Sequence, residues 1–132
     1  MTTVVVDASV VLQACLEDDG FGPLAGYTAV APHLAMSEAL SSLREATYRG
    51  EISPQLAAIA RKRLAEAPVA REAPGGLVDA AWSVAEAFGW AKNYDAEYVA
   101  LAQLRGCALV TLDERLKRTA SRLVRVLGPA EL

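Results

Sequence analysis

Histidine occurs once, cysteine twice, and aromatic residues make up only 6% of the 132 residues. Cys15 and Cys107 are far apart and lack C-x-x-C spacing, which excludes a disulfide framework and a cysteine zinc site. Each lies in an apolar run and reads as a small buried hydrophobe. His33, beside Pro32, has no second imidazole with which to build a zinc centre. No cationic leader precedes an apolar stretch, and no apolar run reaches the roughly 18 residues of a membrane span. A protein of a reducing cytoplasm, with no membrane partner, is the expectation. G-x-S-x-G and G-x-x-x-x-G-K-[ST] are both missing, which disfavours serine hydrolases and P-loop enzymes. A basic excess is missing too. Thirteen Lys and Arg face sixteen Asp and Glu, a net charge of −3, whereas phosphate binding usually leaves a basic footprint.

What is present is apolar. Hydrophobic residues make up 53% of the chain, charged residues 22%, and the mean hydropathy is +0.22. That composition excludes disorder. A chain of 14.0 kDa is one domain's worth, spanning 1–132, and needs no staple to hold a core. The apolar surplus also suggests a face for a partner or a second copy.

Val4 to Val6 form a β-branched run without polar alternation, the pattern of a strand buried on both faces. Asp7 ends it, and Ser9 to Leu16 is apolar at helical spacing. Three glycines and Pro23 make 20–26 a loop. Tyr27 to Ala31 predicts a second strand and 33–49 a helix, with apolar positions at three- and four-residue intervals. Ser53 as N-cap and Pro54 after it open a helix to about Ala67. A weak strand is expected at 69–73, then helices at 77–89 and 95–105. A strand follows at 107–112, a short helix at 113–121 and a last strand at 123–127. Strands alternate with helices throughout, which predicts one α/β domain with a mainly parallel sheet. In such sheets, groups at the carboxyl ends of the strands meet in one crevice.

Four acids fall where that crevice would form. Asp7 and Asp113 end the two most apolar strands, Asp95 opens the helix upstream of the second of them, and Glu38 borders the apolar stripe of the 33–49 helix. Asp7, Asp95 and Asp113 also suit N-caps, each worth about 1 kcal/mol. Carboxylates gathered this closely raise one another's pKa and persist mainly where a cation neutralises them. All-oxygen donors select hard cations such as Mg²⁺ or Mn²⁺. Such ions bind phosphate oxygens, activate water and stabilise a leaving oxygen, which are the three needs of phosphodiester hydrolysis.

At these residues the sequence resembles PIN-domain ribonucleases, specifically VapC-type toxins of bacterial toxin–antitoxin pairs. The matching pieces are V-V-V-D-A-S-V-V at 4–11, A-P-H-L-A-M-S-E-A-L-S-S-L-R at 31–44, Y-D-A-E-Y-V-A-L-A at 94–102 and L-V-T-L-D-E-R-L at 109–116. The resemblance covers nearly the whole chain and implies a five-stranded parallel sheet flanked by helices. It places the family's acidic quartet on Asp7, Glu38, Asp95 and Asp113, as catalytic and metal-holding residues, with Ser9 and Thr111 in support. It further implies an endoribonuclease that uses Mg²⁺ or Mn²⁺ to cut structured RNA of the tRNA or rRNA class. A homodimer and a cognate VapB-type antitoxin are implied as well.

The main rival is a receiver-like α/β signalling or binding module without nuclease activity. A receiver needs adjacent acids after its first strand, and Asp7 is followed by Ala8. The charge balance no longer opposes RNA. Without the four acids, 13 basic residues remain against 12 acidic ones. Candidates for steering an RNA backbone are Arg61, Lys62 and Arg63 in one run and Arg115, Lys117 and Arg118 in another. Trp82 and Trp90 are candidates for stacking on bases, Trp82 more readily for packing against a partner or the core.

Overall fold

A computed structural model describes residues 1–132. Strand β1 spans Thr2–Val6, helix α1 Ala8–Leu16, β2 Tyr27–Ala31, α2 Leu34–Tyr48 and α3 Pro54–Ala65. They are followed by β3 at Ala70–Arg71, α4 at Leu77–Phe88, α5 at Tyr94–Arg105, β4 at Ala108–Val110, α6 at Glu114–Ala120 and β5 at Val126–Leu127. The five strands form one sheet in the order β3-β2-β1-β4-β5, every pair parallel. The expected fold class is the observed one.

β1 occupies the centre because its valines tolerate no water on either side. Val4, Val5 and Val6 are all buried, as are Leu109 and Val110 of β4. Helices α1, α2 and α3 pack on one another, while α4 packs on α5, and α5 lies against β1 and β4. Cys15 is buried and Cys107 half-buried, both unpaired. Gly20 lets the loop after α1 fold back on that helix, since a Cβ there would lie 1.8 Å from the Ala14 carbonyl oxygen. No helix is long and apolar enough to cross a membrane.

Three elements are shorter than the sequence suggests. The run 69–73 pairs only at Ala70–Arg71, because the Val69 N–H turns back to the Ala67 carbonyl and Pro68 and Pro74 bracket the segment. The last strand starts at Val126, not 123, because the N–H groups of Leu123 and Val124 both bond the Ala120 carbonyl and close the end of α6. β4 loses Leu112, whose N–H bonds the Ser9 hydroxyl instead of a ladder partner. Trp82 stands 66% exposed on α4 and so is no core residue.

The chain turns back at β1. From β1 it winds outward through β2 to β3, then crosses to the other side of β1 for β4 and β5. The carboxyl ends of β1 and β4 therefore flank the point where strand order reverses, the crevice in which open α/β sheets place their ligands.

Candidate active site

Asp7 is the first residue beyond β1 and the N-cap of α1. Its N–H still bonds the Val110 carbonyl at 3.2 Å, carrying the β1–β4 pairing one step past the strands. Its side chain is almost fully enclosed, at 5% exposure. Oδ1 accepts from the Ser9 hydroxyl at 2.6 Å and from the Val10 N–H at 3.2 Å. Oδ2 accepts from the Thr111 hydroxyl. Both hydroxyls also accept. Thr111 takes the Asp113 N–H at 3.0 Å and Ser9 takes the Leu112 N–H at 3.1 Å. Ser9 and Thr111 thus fix the rotation of the Asp7 carboxylate and tie the ends of β1 and β4 together.

Asp113 caps α6, its Oδ1 accepting from the N–H groups of Arg115 and Leu116. The cap reading therefore holds for Asp7 and Asp113, and it does not exclude a ligand role. Each carboxylate keeps lone pairs beyond those its caps use. For Asp95 the cap reading fails. Helix α5 begins one residue earlier, its N-cap is Asn93 without a side-chain cap, and Asp95 lies inside the first turn. There its charge, with that of Glu97, offsets the uncapped N–H groups by lying at the positive end of the helix dipole.

Glu38 projects from α2 and is met from across the crevice by Tyr98 of α5, whose hydroxyl donates to Oε1 at 2.5 Å. Tyr98 is 1% exposed. Helical spacing marks it as inward-facing, but its role as the orienting partner of Glu38 is not legible from spacing alone. The available signal is its position one turn after Asp95, on the same side of α5. The hydrogen bond to Glu38 and burial together push the Tyr98 phenol far above its usual range, burial being the larger cause.

The acids feel one another. Burial pushes the Asp7 carboxyl up against the pull of its three hydrogen bonds, and the Asp113 charge adds to the rise. Burial first, then the charges of Asp95, Asp7 and Glu97, raise Glu38. Burial, then Asp113 and Asp7, raise Asp95, opposed by the nearby Arg115. None of the four enters an ion pair. They share the crevice without closing on one point, and no three of them form a ready-made ligand cage. An all-oxygen donor set without ion pairs, in which burial and neighbouring acids raise Asp7, Glu38 and Asp95, suits a hard divalent cation.

Glu38, Asp95 and Asp113 open onto a cleft of about 690 Å³, walled on the far side by the α4–α5 connection and α6. Gly89, in the left-handed conformation (φ 67°), ends α4 and turns the chain into that wall. There Trp90 packs on Phe88 with ring centroids 4.8 Å apart. A larger hollow of about 930 Å³ lies around the start of β1 and the turn into β4 and holds none of the four acids.

The expected basic residues divide. Arg63 is committed elsewhere: its guanidinium donates to the carbonyls of Cys15 and Glu17 and pairs with Asp18 at 2.8 Å, closing the end of α1. Lys117 pairs with Glu131. Arg61 lines a groove between α2 and α3, away from the acids. Arg115 lines the acidic cleft itself. Lys62 and Arg118 make no ion pair. His33 is exposed at the start of α2 and makes no side-chain cap there.

The PIN-domain family model matches residues 4–122. Ribonuclease VapC9 from Mycobacterium tuberculosis is 37% identical over 117 residues, covering 88% of this chain and 90% of the relative. Among solved structures, PAE2754 from Pyrobaculum aerophilum superposes with a TM-score of 0.73 at 21% identity, over 98% of this chain and 91% of that one. VapBC2 from Rickettsia felis, bound to a DNA fragment from its promoter, gives 0.67 at 12% identity, over 96% and 98% of the two chains.

Proposed function

The chain belongs to the PIN-domain family, and from that premise we propose that it is a ribonuclease toxin of the VapC type. It hydrolyses RNA phosphodiester bonds with a divalent cation held by Asp7, Glu38, Asp95 and Asp113. The observation that carries this reading is electrostatic. Three of these carboxyls are raised by burial and by the charges of their neighbours, and no Lys or Arg pairs with any of the four. That arrangement is costly unless a cation is bound. The 37% identity to Ribonuclease VapC9 supports the activity. A receiver-like module loses its footing with the family match.

A Mg²⁺ or Mn²⁺ ion at this cluster supplies positive charge to the phosphate oxygens and lowers the pKa of an attacking water. The chain's own residues orient and exclude. Ser9, Thr111 and the Val10 N–H hold Asp7 in one rotamer. The backbone of α6 holds Asp113 and Tyr98 holds Glu38.

In the full reading the chain acts in the cytoplasm on structured RNA of the tRNA or rRNA class, as a homodimer silenced by a VapB-type antitoxin. Support for the antitoxin is the likeness to the toxin–antitoxin complex from Rickettsia felis. Support for further interfaces is the apolar surface left open, with Val78 82% and Trp82 66% exposed on α4.

The test is cleavage of purified bacterial tRNA and rRNA by the isolated chain. Cutting should require Mg²⁺ or Mn²⁺, stop with EDTA, and fall at least about a hundredfold in Asp7→Asn. Cleavage that persists at full rate in Asp7→Asn or in EDTA would overturn the assignment.

A further inference from the structure

The cleft beside the acids has an unexplained rim. Tyr94, the first residue of α5, is 58% exposed with its ring on the cleft. Its hydroxyl makes no hydrogen bond within the chain, and no neighbouring ring covers it. A phenol left half in water immediately before Asp95 costs apolar exposure with no return in folding. Two cations share the cleft with it. Lys92 lies two residues before Tyr94, and Arg115 lies on α6, close enough to Asp95 to oppose the rise in that carboxyl. Neither Lys92 nor Arg115 enters an ion pair, whereas Arg49, Arg63, Arg105 and Lys117 all do. In the wall behind, Trp90 packs on Phe88 with ring centroids 4.8 Å apart.

An exposed flat ring flanked by two free cations, with a metal-suited carboxylate cluster a side chain away, has the chemistry of a single-stranded nucleic-acid seat. The ring stacks a base and the cations take phosphates. Resting on the ribonuclease reading above, we propose that Tyr94 is the stacking platform for a nucleobase next to the scissile phosphate. Lys92 and Arg115 hold the phosphates on either side of it. The strand is thus gripped by base face and backbone, which is tolerant of sequence at that position, because every base has a π-face. Tyr94 binds and positions; it does not take part in bond breaking.

The test uses the full-length chain with Mg²⁺ and purified bacterial tRNA, read as KM and kcat, together with binding of a fluorescent ten-nucleotide single-stranded RNA at several salt concentrations. Tyr94→Ala should raise KM and weaken binding about tenfold or more, with kcat changed far less. Tyr94→Phe should stay within about twofold of the unchanged chain, since the stacking face is kept. Lys92→Ala and Arg115→Ala should each reduce the slope of log affinity against log salt by about 0.7, the value for one single-strand phosphate. Tyr94→Ala should leave that slope alone. Thermal melting of each variant excludes a folding cause, which the exposure of all three side chains makes easy to satisfy. An unchanged KM in Tyr94→Ala, or a loss in Tyr94→Phe as large as in Tyr94→Ala, overturns the proposal and leaves the ribonuclease reading intact. Failure of the unaltered chain to cut any RNA overturns the ribonuclease reading itself.

Discussion

The Thr111 hydroxyl donates to Asp7 Oδ2 across neighbouring strands, joining two residues 104 positions apart in the chain. The Thr111 hydroxyl oxygen in turn accepts the Asp113 main-chain N–H, so one hydroxyl fixes the Asp7 carboxylate and the backbone at Asp113. Thr111→Val keeps the shape and deletes both bonds. It should lower metal affinity or cleavage about 10–100-fold, the usual effect of removing a group that orients a metal-holding residue. Thr111→Ser should recover most of the loss. Calorimetric titration with Mn²⁺ and initial cleavage rates check both, and an unimpaired Thr111→Val would count against the orienting role.

Tyr98 plays the same part for Glu38 from a different element. Tyr98→Phe removes a donor from a carboxylate that burial and three neighbouring acids already disfavour. One lost hydrogen bond to a charged group is worth about 1.5–3 kcal/mol when enclosed, and Glu38 is only half-buried, so the lower end applies. Mn²⁺ affinity should fall by about tenfold, and the melting temperature by a few degrees. A melting temperature that drops while affinity holds would reassign Tyr98 to packing alone.

The raised carboxyls make the metal-free protein sensitive to pH, and the sign follows from linkage. Asp7, Glu38, Asp95 and Glu97 all bind protons more tightly in the native chain than at their ordinary values of 3.8 and 4.5. Their contribution to stability is fully present below those ordinary values and is lost as pH rises through the elevated native ones. In EDTA the melting temperature should therefore fall as pH is raised above the ordinary carboxylate value of 4.5. Mg²⁺ should restore it at the upper end by binding only the folded state. Asp7→Asn in EDTA should flatten part of the slope. A metal-free melting temperature that climbs over this range would contradict the electrostatic account of the site.

The parts of this architecture that depend on local pattern are legible in the sequence. Val4–Val6 and Leu109–Val110 announce central strands because nothing polar interrupts them, and the acids that follow mark the crevice. The start of α5 is less legible, because Asn93 opens it without using its side chain, and its Oδ1 is buried with no partner. Tyr98 and Glu38 are 60 positions apart, and their pairing depends on how α2 and α5 meet, which no periodicity encodes. The edge strands shrink because turn hydrogen bonds at Val69, Leu123 and Val124 compete with ladder bonds. That competition is decided by tertiary placement rather than by β-propensity.

Arg63 shows the same limit in the basic residues. In sequence it is the end of an Arg-Lys-Arg run and a candidate for RNA; in the fold it closes the last turn of α1 through two carbonyls and Asp18. Helix C-termini leave carbonyls without partners, and α1 ends on Glu17 with no basic residue of its own in the last turn. Arg63→Ala should therefore destabilise the chain by about 1–2 kcal/mol, after discounting the fully exposed Asp18 pair. It should leave the salt dependence of RNA binding unchanged. Lys62→Ala, one position away with no ion pair to lose, should cost little stability. Urea melts and salt titrations of RNA binding separate the two roles. A reduced salt slope in Arg63→Ala without loss of stability would return this residue to the RNA surface.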